Sequence, residues 1–290
     1  MIHNNSNKGD VVLSYFSRSL LALGTSLFMQ GVVKHLLTQG DVILVSYLAS
    51  LQDQGIYALA SNYGGLIARM VFQPIEESSR NYFGKLLSTV DGKPSKAMIE
   101  SGSRNLHSLL RFYILLSVCA VSVGPTIAPL LLNLVAGSRW ASTGAGEVLA
   151  KYCYYIPLLA VNGITESFIS SIATESELNR QSAWMFAFSV GFAAAGYIFL
   201  RLFDMGAVGL LWANAINMAL RILWSSSFIS AYLKRNKSHF SILAMMPQPA
   251  TIVVGVSTAA VLSQMQASFT GGVIDIIKSS VVAGAFIVLL

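Results

Sequence analysis

The chain has 290 residues, 54% of them hydrophobic and only 11% charged, with a mean hydropathy of +0.62. Soluble domains carry roughly 25% charged residues, so a water-soluble enzyme is excluded first, and the supply of apolar side chains excludes disorder. The net charge of +6 fits a nucleic-acid binder or, more simply, a membrane protein with basic cytoplasmic loops.

A helical crossing of the bilayer needs about 20 mostly apolar residues. Such stretches are predicted at 27–48, 55–78, 106–133, 148–173, 182–202, 206–231, 248–266 and 273–290. The fold class is therefore all-α, a polytopic transmembrane bundle of about eight helices; the period-2 alternation of a membrane β-barrel is absent. Residues 1–26 read as a cytoplasmic N-terminal segment and 27–233 as the first six helices. A basic cytoplasmic connector follows at 234–247, then the last two helices at 248–290. Another polar connector is predicted at 79–105, and a short one at Gln52–Gly55 with turn chemistry. No cleavable signal peptide is predicted at the Met1 end.

The basic residues set the orientation. On the side of the N-terminus fall Lys8, Arg18, Arg80, Lys85, Lys93, Lys96, Arg104, Arg180, Lys234, Arg235 and Lys237; the other side holds Arg139, Lys151 and Arg201. Eleven against three predicts a cytoplasmic N-terminus. The surplus charge is then explained without a nucleic-acid partner. The sequons at Asn4 and Asn236 both fall on the cytoplasmic side and are expected to be unmodified.

Ionisable side chains at membrane depth cost several kcal/mol, so each is a functional candidate. Gln30, Lys34, Thr38 and Asp41 recur at helical spacing in the first span, and Asn62, Arg69, Gln73 and Glu76 in the second. The fourth span holds Asn162 and Glu166, the sixth Asn214, Asn217 and Arg221. Lipid cannot cover four such stripes, which predicts that they converge on a polar interior. Arg69 and Arg221 each lie about 21–22 Å from the non-cytoplasmic start of their span, and Lys34 about 10 Å from the cytoplasmic end. The three cations thus reach a similar level, where they can receive a phosphate-like anion. The competing reading pairs Lys34 with Asp41, Arg69 with Glu76 and Arg221 with Glu166 as interhelical ties. Both readings stay open at this point.

Gly64-Gly65 and Pro74 are expected to interrupt the second span, Gly124-Pro125 and Pro129 the third, and Pro157 and Gly163 the fourth. Ala183, Ala187, Gly191 and Ala195 recur every four residues and predict a packing face without chemistry. Trp140 and Trp224 are expected at the interface or against lipid. His3, His35, His107 and His239 lack ligand spacing, and Cys119 and Cys153 are isolated, so no metal site is expected. No nucleotide-binding or hydrolase signature is present, so the chain is read as neither an enzyme nor an ATP-driven pump, with no cofactor.

The run DQGIYALASNYGGLIARMVFQPIEESSR at 53–80 resembles the Rft oligosaccharide-translocation proteins, the eukaryotic branch of the multidrug/oligosaccharidyl-lipid/polysaccharide exporter superfamily. SLFMQGVVKHLLTQGD at 26–41, YCYYIPLLAVNGITESF at 152–168 and VGLLWANAINMALRI at 208–222 extend the likeness. It implies about fourteen helices in two lobes around a central cavity, working by alternating access. On that pattern the chain begins shortly before the second lobe and ends on the apolar run Phe286–Leu290, and so reads as a fragment without the first lobe.

The resemblance also implies residence in the endoplasmic reticulum membrane and a part in N-linked glycosylation. The implied activity moves a dolichol-diphosphate-linked heptasaccharide of five mannoses and two N-acetylglucosamines from the cytoplasmic to the luminal leaflet. Its alternative is a non-transporting accessory or scaffold that works with other proteins of that pathway. An ion-coupled exporter would instead need a membrane-buried carboxylate such as Asp41 or Glu166. From the residues themselves, Lys34, Arg69 and Arg221 are candidates for the diphosphate, and Asn62, Gln73, Asn162, Asn214 and Asn217 for sugar hydroxyls. Glu76 and Glu166 complete the candidate substrate-binding set.

Overall fold

The computed structural model describes residues 11–12, 16–17, 25, 28, 46–87, 94–137, 140, 143–238, 240–241, 245–266, 269 and 273–289. The chain divides into two compact units, Met1–Leu44 and Val45–Leu290. In the first, β1 (Val11–Val12) pairs antiparallel with β2 (Phe16–Ser17), Val11 opposite Ser17. The stripe of Gln30, Lys34, Thr38 and Asp41 lies outside the described residues.

The second unit is a helical bundle. Its helices are α1 (Leu51–Leu87), α2 (Lys96–Ala136), α3 (Ala145–Tyr152) and α4 (Ile156–Ile172). They are followed by α5 (Glu175–Tyr197), α6 (Gly206–Arg235), α7 (Pro249–Gln266) and α8 (Val273–Leu289). A wider π turn, Ile198–Leu202, extends α5. Three of the described helical segments, Lys96–Ala136, Glu175–Leu202 and Gly206–Arg235, are long and apolar enough to cross a membrane, and Ile156–Ile172 is a shorter apolar helix. The chain is an all-α, multi-pass membrane protein.

Several sequence expectations change. The predicted connector at Gln52–Gly55 is the first turn of α1, and the one at 79–105 shrinks because α1 runs to Leu87 and α2 begins at Lys96. The polar residues Arg80, Asn81 and Lys85 ride an exposed face while Phe83 and Leu87 are buried on the other. Helical amphipathicity, rather than overall polarity, governs that segment.

The expected breaks at Gly64-Gly65, Pro74, Gly124-Pro125 and Pro129 do not occur; α1 and α2 pass through all of them as continuous helices. An interior proline costs about 3 kcal/mol, but the helices around these prolines are held by packing. The Phe72 and Tyr113 rings pack at a tilt of 31° with centroids 4.8 Å apart, and the Tyr113 hydroxyl donates to the Phe72 carbonyl at 3.2 Å. The predicted fourth span, by contrast, is two helices. The N–H groups of Cys153, Tyr154 and Tyr155 each bond three residues back, at 3.2, 3.1 and 2.8 Å. Pro157, in the first turn of α4, brings no N–H to continue α3.

Two apolar clusters hold the bundle. Phe83, Leu106, Tyr113, Ile164, Phe168 and Ile229 form one; Ile56, Ala60, Leu132, Val148, Tyr152 and Leu211 form the other. Small residues of α1 let neighbours approach closely: a β-carbon on Gly64 would lie 2.4 Å from the Tyr152 ring. In the alanine stripe of α5, Ala183 and Ala187 are exposed, whereas Gly191 faces Leu220 of α6, so only its later half packs. Trp224 stacks on Phe228 with ring centroids 5.6 Å apart.

Candidate functional site

Helices α1 and α4 lie against each other and leave a cavity of about 460 Å³ between them. From α1 it is lined by Asn62, Arg69, Gln73 and Glu76, with Ser61, Gly65, Ala68 and Phe72; from α4 by Asn162, Gly163, Glu166 and Leu159. Tyr152 of α3 adds a ring at one end. The spacing of 3 or 4 residues on each helix aims these side chains at a common space. Six of the ten candidate residues therefore share one cavity. Asn62, Arg69 and Gln73 are exposed, so the cavity is open along the α1 side.

Its charges are separated. Arg69 Nε donates to the Gly65 carbonyl one turn back, at 3.0 Å. Among the described residues no carboxylate lies within 4.0 Å of the Arg69 guanidinium, so the expected pairing with Glu76 does not form. Seven residues on an α-helix span about 10 Å, and Glu76 turns instead toward Gly163 of α4. Along α1 the cavity runs from Asn62 to Glu76, with Arg69 midway and the Glu76 carboxylate at one end.

The third charged group is compensated. Arg221 of α6 donates from Nη2 to both Glu166 oxygens, at 3.1 and 3.0 Å. Asn162 Nδ2 donates to the same carboxylate at 3.0 Å. The tie expected between these helices is present. It leaves two orphans, the buried Asn162 Oδ1 and Arg221 Nε, which have no hydrogen-bond partner among the described residues. A buried unpaired acceptor or donor costs about 1–3 kcal/mol, and such groups are often kept for a ligand or a second state.

The remaining candidates sit elsewhere. Asn214 donates to the Tyr57 hydroxyl at 2.5 Å and ties α6 to α1. Neither Asn214 nor Asn217 lines the cavity. Gln73, which does line the cavity, reaches along its own helix to Glu77 Oε1 at 3.0 Å. Lys34 lies outside the described residues.

The family model described as Rft protein matches residues 2–290. The chain belongs to the Rft protein family. Curated relatives carry the name Man(5)GlcNAc(2)-PP-dolichol translocation protein RFT1. The relative from Yarrowia lipolytica is 40% identical over 252 residues, covering 84% of this chain and 37% of the relative. That from Saccharomyces cerevisiae is 36% identical over 248 residues, covering 86% and 42%. That from Xenopus tropicalis is 34% identical over 244 residues, covering 82% and 44%. The Rft-family chain thus spans less than half the length of these relatives. No solved structure matches it.

The roles of three residues that shape this Rft-family bundle escaped the sequence reading, which took Asp53 as part of a connector and Gly163 as a break in a helix that runs through it. Asp53 caps α6, Tyr57 holds Asn214, and Gly163 makes room for Glu76. The last left a signal: a glycine between Asn162 and Glu166, on a polar helix face, marks a close approach as readily as a break.

Proposed function

We propose that the full-length protein carries a dolichol-diphosphate-linked oligosaccharide from the cytoplasmic to the luminal leaflet of the endoplasmic reticulum membrane, for N-linked glycosylation. The names of its Rft relatives support the substrate class. The excess of basic residues on the N-terminal side supports a cytoplasmic N-terminus.

In this reading the α1–α4 cavity receives the polar head group. A diphosphate crossing hydrocarbon needs its charge matched. The observation that carries the assignment is Arg69, a guanidinium on the cavity with no carboxylate within 4.0 Å among the described residues. Asn62, Gln73 and the orphaned Asn162 Oδ1 supply hydrogen-bonding groups for sugar hydroxyls. Glu166 holds Arg221 until a phosphate competes for it, so the head group would loosen the tie between α4 and α6 as it enters. Glu76 stands at the far end, where it accepts from hydroxyls and repels phosphate, which orients the head group.

The test is reconstitution of the full-length protein into vesicles with the authentic glycolipid. Arg69→Ala should abolish luminal delivery while the variant keeps its melting temperature, and Arg69→Lys should restore part of it. Normal delivery by Arg69→Ala would remove the site. Delivery that proceeds equally in protein-free vesicles would favour the accessory role.

A further inference from the structure

A second crevice, of about 420 Å³, lies between the start of α5 and the end of α6, and shares no residue with the cavity above. Its mouth is basic. Arg180 has no carboxylate within 4.0 Å among the described residues, and Arg235 stands 5.7 Å over the Tyr232 ring with its guanidinium 4.0 Å from Glu177 Oε1. That carboxylate is already engaged: Glu177 Oε2 accepts from the Thr174 backbone N–H at 2.9 Å and from the Thr174 hydroxyl at 3.0 Å, closing the capping box of α5. Glu177 keeps its negative charge in that box, so two guanidiniums against one carboxylate leave the mouth with one positive charge in excess.

The floor is aromatic. Phe228 and Trp224 stack below Tyr232, and Trp224 precedes Arg235 by eleven residues, or about 16 Å of helix. Both walls belong to segments long and apolar enough to span the membrane, and the arginines sit at the ends of those segments. Arginine beside tyrosine and tryptophan is the chemistry of the headgroup level. A soluble anion would use the mouth and leave the floor empty. A lipid uses both.

We propose that this crevice seats one anionic glycerophospholipid, its phosphate between Arg180 and Arg235 and one acyl chain along Phe228 and Trp224. Charge complementarity at the mouth chooses an anionic over a zwitterionic headgroup. The seat bridges α5 and α6, and α6 also carries Arg221, so its occupant clamps the helix that is tied to the polar cavity.

The test is native mass spectrometry of the full-length protein in neutral detergent, titrated with phosphatidylserine or phosphatidylcholine. Two guanidiniums near a headgroup predict retention of phosphatidylserine roughly tenfold tighter than phosphatidylcholine. R180Q/R235Q should erase the preference; R180K/R235K and K234Q, the last on an exposed neighbour outside the crevice, should keep it. Should the double variant lose its helical circular dichroism, R180Q alone decides, and the preference must then fall severalfold. Preference that survives the loss of both arginines overturns the site. Displacement of the lipid by an equal concentration of glycerophosphoserine or inorganic phosphate also overturns it, since a free anion would then suffice.

Discussion

Glu76 rests its carboxylate on the backbone of Gly163, so closely that a β-carbon at that glycine would lie 1.8 Å from Oε1 and 2.3 Å from Cδ. The carboxylate is the end of a flexible side chain and can swing away. Gly64 makes the opposite case: its β-carbon would meet Cδ1, Cε1 and Cγ of Tyr152 at 2.4, 2.8 and 3.1 Å. That ring is only 5% exposed and packed in a core cluster, so it cannot move aside. Replacing a helical glycine with alanine by itself gains about 1 kcal/mol, whereas overpacking a core costs about 1–3 kcal/mol. Gly163→Ala should thus melt near or slightly above the parent, and Gly64→Ala clearly below it, in thermal denaturation in detergent. Because Gly163→Ala pushes the Glu76 carboxylate off its place beside Gly163, on the proposed function it should also impair glycolipid delivery by the full-length protein without loss of fold.

The Arg221–Glu166 pair predicts a coupling. The two side chains are 28% and 34% exposed, intermediate between surface pairs worth about 0–1 kcal/mol and buried pairs whose breakage costs 3–5 kcal/mol. Glu166→Ala strands Arg221 and the Asn162 amide together; Arg221→Ala leaves Glu166 with the amide alone. Each single variant should lose about 1–3 kcal/mol, and the double variant less than their sum, by a coupling of about 1–2 kcal/mol. Denaturant unfolding in mixed micelles measures all four corners of the cycle. Strict additivity would mean that the two residues act independently.

Much of the bundle was legible because helical period and membrane cost act together. Polar residues that recur every three or four positions on one helix of a membrane bundle have to face something polar, which is how Asn62, Arg69, Gln73 and Glu76 on α1 and Asn162 and Glu166 on α4 could be read together. Helix α1 itself is not among the described segments apolar enough to cross a membrane. The Arg221–Glu166 tie was one of two readings the residues left open, and the Arg69–Glu76 pair offered beside it does not form. Long-range partners were not legible, since nothing local to Asn214 announces a tyrosine 157 residues earlier. Glycine and proline misled for a related reason. They weaken an isolated helix, but in Gly64 and Gly163 the missing side chain is filled by a neighbour whose identity is set only in three dimensions. The 79–105 segment was misjudged by composition, because its polar residues share the helix with a buried face.

Asp53 shows how much one such contact can carry. It stands in the first turn of α1, where its Oδ2 accepts from the Ser50 hydroxyl at 2.5 Å and its own N–H donates to Ser50 Oγ at 3.1 Å. Its other oxygen, Oδ1, accepts from the Ala207 N–H at 3.1 Å, at the start of α6 and 154 residues away. One carboxylate therefore faces the positive ends of two helices. It also sits where a side chain on Gly206 would go: that residue has φ +52°, and its β-carbon would lie 2.6 Å from Oδ1. Asp53→Ala should cost about 1–2 kcal/mol, the worth of a cap, and Asp53→Asn distinctly less, since an amide oxygen still accepts. Gly206→Ala should cost more than either, from backbone strain and the clash combined. In Asp53→Ala/Gly206→Ala the clash is gone and only the strain and the lost cap remain, so the double variant should be more stable than the two separate losses predict. Melting temperatures of the four proteins, measured in one detergent, decide it; a double variant at or below the additive value would mean that Asp53 does not press on Gly206.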